Sequence, residues 1–242
     1  MFLGESAIPD GLRIYAIGDI HGCDAMLAEA HERIARDLAG RPVADHRIFH
    51  LGDYVDRGPD SAGVLARLSA LQASDSRFTC LRGNHDTWLL EFLSDPQHVG
   101  PSWLTYGGVE TLASYGIDAA RPDFTGRGLS SLSARLAAVF PPEHRRFLEA
   151  CALTAQVGDY FFCHAGIRPG VPLAEQIEDD IIWIREPFLS DRRDHGVIVI
   201  HGHTPAPQPE IKPNRINIDS GAVFGGPMTV LALEGRQHHF LS

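Results

Sequence analysis

The feature that most constrains the fold is a pattern repeated three times in the first third of the chain. Each repeat is a β-branched or aromatic run, a Gly-Asp or Gly-Asn turn, then a stretch with apolar residues at helical spacing. Leu12 to Ile17 leads into Gly18-Asp19-Ile20-His21-Gly22 and a helical stretch over Cys23 to Ala39. His46 to Leu51 leads into Gly52-Asp53-Tyr54-Val55-Asp56-Arg57-Gly58 and a helix from about Ser61 to Gln72. Phe78 to Leu81 leads into Arg82-Gly83-Asn84-His85-Asp86 and a helix over Thr87 to Leu93. Strands alternating with helices form right-handed βαβ units and a parallel sheet, whose strand-to-helix turns lie at one edge, where open α/β folds bind ligands. Asp19, His21, Asp53, Asp56, Asn84 and His85 are therefore expected to converge.

The remainder changes character twice. About 94–150 carries Gly/Pro punctuation, Trp103, Tyr106 and helical fragments around Val109 to Tyr115, Leu129 to Val139 and Glu143 to Cys151, which read as a helical cap or insertion. From Leu153 the chain turns strand-rich, and ALTAQV, DYFFCH, GVIVIHGH, NRINID and MTVLAL are expected to form a second sheet packed on the first. The expectation is one α/β domain over 1–242, a two-sheet β-sandwich flanked by helices with a small helical insertion.

Composition narrows the function. A net charge of −10 argues against a general nucleic-acid or membrane-surface binder. The four cysteines form no close-spaced cluster and read as reduced thiols, mostly buried. The first residues lack a basic segment followed by an apolar one, and no apolar run approaches the ~18 residues of a membrane helix, so a cytoplasmic protein is expected. The unusual feature is the count of 13 histidines. His164, His201 and His203 of the second half can join the carboxylates, amide and imidazoles of the first. Mixed oxygen and nitrogen ligands without thiolate suit manganese, iron or zinc, and a carboxylate can bridge two ions. Two divalent ions about 3.5–4 Å apart activate a bridging water and clamp the oxygens of an in-line displacement, for which phosphoester hydrolysis is the natural reaction.

Five ordered motifs carry a resemblance: Gly18-Asp-Ile-His-Gly22, Gly52-Asp-Tyr-Val-Asp-Arg-Gly58, Leu81-Arg-Gly-Asn-His-Asp86, His164-Ala-Gly166 and Gly202-His-Thr-Pro205. Together they resemble the phosphoprotein phosphatase family of the calcineurin-like metallophosphoesterases, and most closely its small bacterial serine/threonine-type members. The resemblance implies a metallophosphoesterase-type sandwich holding two divalent ions, manganese first, with iron or zinc as alternatives. It places Asp19 and His21 on the first metal, Asp53 as the bridge, and Asn84, His164 and His203 on the second. It makes His85 the general acid, oriented by Asp56. Arg57 is implied to hold the phosphoryl oxygens, with Arg82 and Arg185 as weaker candidates. The implied reaction is attack of a metal-bridging hydroxide on a phosphorylated protein or small phosphoester, without a phosphoenzyme.

Three positions refine this. Pro205 stands where many wider metallophosphoesterases carry a second His, which sets the chain apart from their nucleases and cyclic phosphodiesterases. Asp56 stands where symmetrical dinucleoside tetraphosphatases commonly have Ala, favouring phosphomonoesters. Asp86, where eukaryotic serine/threonine phosphatases have Glu, is shared with the tetraphosphatases, so symmetrical dinucleoside tetraphosphate hydrolysis is the alternative activity. The alternative of another class is an inactive metal- or phosphate-binding module. Cysteine-dependent phosphatase chemistry is disfavoured, because no Cys is followed by five residues and an Arg.

Other residues read more plainly. His201 could face the site or end a strand, and His50 reads as a satisfied core residue. His31, His46, His98, His144, His195, His238 and His239 read as surface residues. Asp219-Ser220-Gly221 reads as a turn, and Trp103 and Tyr106 as either a substrate wall or buried cap residues.

Overall fold

Strand β1 (Leu12–Ile17) is buried along its whole length, so it must be covered on both faces and paired on both edges. The computed structural model, which describes residues 1–119 and 121–241, shows how. The chain continues through α1 (Asp24–Gly40), β2 (Asp45–His50), α2 (Ser61–Ser74), β3 (Phe78–Cys80) and α3 (Asn84–Ser94). A helical segment follows: α4 (Pro96–Trp103), a π-type turn over Leu104–Gly108, α5 (Val109–Ser114), α6 (Gly126–Val139) and α7 (Pro142–Ala150). Then come β4 (Thr154–Val157), β5 (Tyr160–Cys163), α8 (Glu178–Trp183), β6 (Ile198–His201), β7 (Glu210–Ile211), β8 (Arg215–Asn217), β9 (Val230–Glu234) and β10 (Gln237–Phe240).

The first sheet has the order β10-β9-β1-β2-β3 and the second β4-β5-β6-β8-β7. This corrects one expectation: MTVLAL belongs to the first sheet, where β9 runs antiparallel to β1. Because β1 is buried and already paired to β2, its other edge would carry unsatisfied backbone groups, and β9 supplies their partners. The sheet is therefore mixed, with the three expected strands parallel.

Alternation along the strands makes the layers. Tyr15 and Ile17 point into a core shared with Leu27, Leu65 and Phe92 of the helices. Ile14 and Ala16 point the other way, into a core with Phe162, Ile200 and Ile216 of the second sheet. Phe49 and Phe162 stack between the sheets with ring centres 4.5 Å apart. The second sheet's outer face is covered by Ile181, Ile182 and Phe188. Among the described residues, no helix is long and apolar enough to cross a membrane.

Register brings the site together. Ile17, His50 and Cys80 lie level at the ends of the three parallel strands of the first sheet. In the second, Phe162, Ile200 and Ile216 lie level on parallel β5, β6 and β8. The turn after each of these strands thus opens toward a common edge. His144, expected at the surface, is buried and hydrogen-bonded to Tyr115 at 2.7 Å, because α7 packs its apolar face inward.

Candidate metal centre and phosphate pocket

Five non-glycine residues carry positive φ among the described residues: His21, Asp53, Asp56, Arg57 and His203. All five are sequence-predicted site residues. Such a conformation costs about 1–3 kcal/mol each for residues with a Cβ, and it persists where the surroundings over-determine it. The bracing is visible. Asp86, three residues into the loop-to-helix turn after β3, accepts hydrogen bonds from the backbone N–H groups of Asp53 (2.8 Å), Tyr54 (2.9 Å) and Gly83 (2.9 Å). Its burial, then the nearby Asp53 charge, pushes its carboxyl up to about 7. The bond to Gly83 also caps α3, which starts at Asn84 rather than at Thr87 and so fixes Asn84 and His85 in its first turn.

Imidazole orientation follows from the backbone. His21 Nδ1 lies 2.8 Å from the Val55 carbonyl and His164 Nδ1 lies 2.9 Å from the Leu51 carbonyl. A carbonyl only accepts, so Nδ1 carries a proton, and in the neutral ring each Nε2 turns a lone pair toward the site. Around those lone pairs stand more acceptors. Asp53 Oδ2 lies 3.5 Å from His21 Nε2 and 3.4 Å from His164 Nε2, and Asn84 Oδ1 lies 3.0 Å from His164 Nε2. His203 Nε2 is buried without a hydrogen-bond partner among the described residues. Asp19, itself buried, is held by the His203 backbone N–H at 3.1 Å.

Acceptors facing acceptors call for positive charge, a demand that shows at His164. Burial lowers His21 to about 3 and His203 to about 2. Burial would lower His164 too, but the carboxylates of Asp53 and Asp19 outweigh it and push it up to about 10. Burial also opposes ionisation of Asp53, yet His164 and His85 hold it well below the usual carboxylate range. Asp19 is raised by burial and by Asp219. Two groups of side chains could each hold a cation, His21–Asp53–His85 and Asp53–His164–His203, with ligand atoms within 4.8 Å of one another. Asp53 belongs to both. The backbone-anchored Nδ1 atoms are the usual support for imidazole ligands, so the residues present fit a divalent pair.

His85 differs from the other imidazoles because its Nδ1 is taken by Asp56 Oδ2 at 2.6 Å. Asp56 is fully buried and fully served: Trp103 Nε1–H donates to both its oxygens at 3.0 Å and the Thr111 hydroxyl donates to Oδ1 at 2.7 Å. Trp103 is thus a buried residue of the helical segment with a donor aimed at the site. Tyr106, by contrast, is exposed. The π-type turn that presents it is clamped to the motif loop, the Arg57 N–H donating to the Gly107 carbonyl at 3.1 Å. Gly107 has φ of +121°, and a Cβ there would sit 2.6 Å from Arg57 N, so only glycine fits.

A pocket of about 250 Å3 opens over these groups, lined by Asp53, Asn84, His85 and His203 at its floor and by Trp88, Trp183 and Tyr106 at its walls. Arg57 and Arg185 complete the lining. Arg57 Nη1 rests 2.5 Å from His21 Nε2. Arg82 is elsewhere: its guanidinium pairs with Glu178 at 2.7 Å, at the start of α8, and does not line the pocket. His201 is buried between the Gly202 carbonyl (3.1 Å) and Arg215 (3.2 Å), away from the pocket lining. Asp219, a turn residue by sequence, is buried and close enough to Asp19 to perturb it. Its placement follows from the rule that located the others, since it leaves the end of parallel β8. Trp88 and Trp183, with rings 4.8 Å apart, carried no motif signal.

The calcineurin-like phosphoesterase family model matches residues 12–232. The serine/threonine-protein phosphatase 1 of Salmonella typhimurium is 28% identical over 228 residues, covering 91% of this chain and 92% of the relative. An asymmetrical bis(5'-nucleosyl)-tetraphosphatase of Geobacillus sp. is 25% identical over 238 residues, covering 90% and 89%. The crystal structure of a putative diadenosine tetraphosphatase superposes with a TM-score of 0.67 at 23% identity, over 94% of this chain and 92% of the other. With a match that runs from β1 into β9, the chain belongs to the calcineurin-like phosphoesterase family, a hydrolase of phosphoester substrates.

Proposed function

We propose that the chain is a metal-dependent phosphatase of phosphomonoesters, with phosphorylated proteins as substrates and His85 as the general acid. The observation that carries this is the His85–Asp56 pair standing beside the Asp53 groups on the floor of the pocket. Asp19, His21, Asp53, Asn84, His164 and His203 would hold two divalent cations, manganese first. Those cations would supply an activated water and positive charge for the phosphoryl oxygens. The chain's own residues do the rest. Arg57 and Arg185 reach the pocket and can bind the phosphoryl group as planar forks. Asp56 fixes the His85 tautomer with the proton on Nδ1, leaving Nε2 to deliver a second proton to the departing alkoxide. The Trp103 and Thr111 donors keep Asp56 from turning away. The walls of Trp88 and Trp183 limit water around that transfer.

The test is His85→Asn. Metal content should be retained, while kcat falls ~10²–10⁴-fold on alkyl phosphates and less on aryl phosphates, whose leaving groups need no proton. Equal loss on both would remove His85 from the acid role. A second reading, dinucleoside tetraphosphate hydrolysis, is favoured by the name of the Geobacillus relative. Comparison of phosphopeptides with diadenosine tetraphosphate under the same metal separates the two.

A further inference from the structure

Arg57 and Tyr106 line the phosphate pocket on one side and, on the other, a second groove of about 530 Å3. The groove's remaining wall includes Leu104, Val109, Glu110 and Phe224. Phe224 is 67% exposed and Tyr106 58%. Neither is loose. Phe224 ends a short helical turn, Ala222–Phe224, flanked by two left-handed glycines, Gly221 at +67° and Gly225 at +91°. The Phe224 N–H donates to the Gly221 carbonyl at 2.9 Å and that of Gly226 to the same carbonyl at 3.0 Å. The Arg57 guanidinium lies over the Phe224 ring, 5.6 Å from its centre. Holding a Phe in solvent forgoes the stabilisation its burial would bring, and exposed aromatic patches of this kind mark binding surfaces.

Charge decides what the groove can take. Arg57 and Arg185 are the cations lining the phosphate pocket, and the groove beyond Arg57 adds Glu110 and no further cation to its lining. One phosphoryl group is therefore served, whereas a chain of phosphates crossing into the groove would meet a carboxylate. We propose that the groove between Tyr106 and Phe224 is a specificity subsite for a bulky apolar or aromatic side chain flanking the phosphorylated residue of a phosphopeptide. This rests on the phosphoprotein reading above.

The experiment measures kcat and KM for the wild type, Phe224→Ala and Phe224→Leu. The substrates are a phosphoserine peptide flanked by Leu, the same peptide flanked by Gly, diadenosine tetraphosphate and a small aryl phosphate. The wild type should favour the Leu-flanked peptide by about tenfold or more, the scale set by apolar pocket contacts. Phe224→Ala should lose that preference through KM while changing the aryl phosphate less than about threefold, and Phe224→Leu should keep most of it. Equal turnover of the two peptides by the wild type refutes the subsite and leaves the phosphoprotein reading standing. Uniform loss on all four substrates, or failure of Leu to rescue, would assign Phe224 to aligning Arg57 instead. Selective loss on the tetraphosphate would give the groove to a nucleobase. Turnover of the aryl phosphate but of neither peptide overturns the phosphoprotein reading and the subsite with it.

Discussion

The two cation-capable groups share Asp53 but are built differently. His21, Asp53 and His85 all come from turns of one sheet, after β1, β2 and β3. Asp53, His164 and His203 join that sheet to the turns after β5 and β6 of the other. The first group depends on the register of three parallel strands, whereas the second exists only once the sheets have docked. Stacking of Phe49 on Phe162 and the bond from the His203 backbone to Asp19 hold that docking.

Asp53→Asn should have the largest effect, because it removes the member common to both groups. Activity should fall by at least about 10³-fold, and elemental analysis should find both metals depleted. Asn can still accept the His85 N–H that Asp53 Oδ1 now accepts at 3.0 Å, so far-ultraviolet circular dichroism should not change. Full metal content in the variant would refute the shared role. A sharper cut through the comparison is the pair His21→Ala and His203→Ala. Each should lose about one equivalent of metal and roughly 10²-fold or more in kcat. Only His203→Ala should spare the group built within the first sheet. Loss of both metals from either variant would mean that the two groups fill as one unit.

This difference also explains how much the sequence could reveal. The first sheet's turns were legible because strand, Gly-Asp turn and helix follow one another locally, and three repeats force the residues together. His164 and His203 needed motif likeness in addition, since no local period says which edge of the second sheet faces the first. The β9 pairing was not legible at all: MTVLAL is an apolar run suited to either sheet, and only the open edge of β1 chooses it. The hydrogen-bonding roles of Trp103 and Asp86 were unreadable for the same reason. An indole in a cap and an Asp ahead of a helix name no partner, until the fold brings them against Asp56 and Asp53.

Trp103→Phe probes how far the helical segment takes part. The substitution keeps the aromatic packing against Phe92, whose ring centre lies 4.4 Å away, and deletes the donor to Asp56. A carboxylate that loses one of its fixed donors holds His85 less firmly, and about a tenfold drop in kcat is expected with KM unchanged. An unchanged kcat would confine the segment to a packing role.

The smallest effect should separate the two sheets by acidity. Each buries a histidine at the end of a strand before its site turn. His50 meets His31 at 2.9 Å in the first sheet, and His201 meets Arg215 in the second. Burial, then Arg67, lowers His31 to about 4; burial, then Arg215, lowers His201 to about 3. An unfolded histidine takes up its proton near 6.5, so the folded state binds fewer protons than the unfolded state below that pH. The stability contributed by neutral His31 is therefore complete above about pH 6.5 and is lost as pH falls toward about 4, while that of His201 is lost over the same range and on toward about 3. Melting curves of metal-depleted protein between those values should slope downward, and His31→Gln, which keeps a donor toward His50, should flatten the slope. A parallel slope in the variant would show that His31 contributes none of it and that buried histidines elsewhere, such as His201, carry the acid sensitivity.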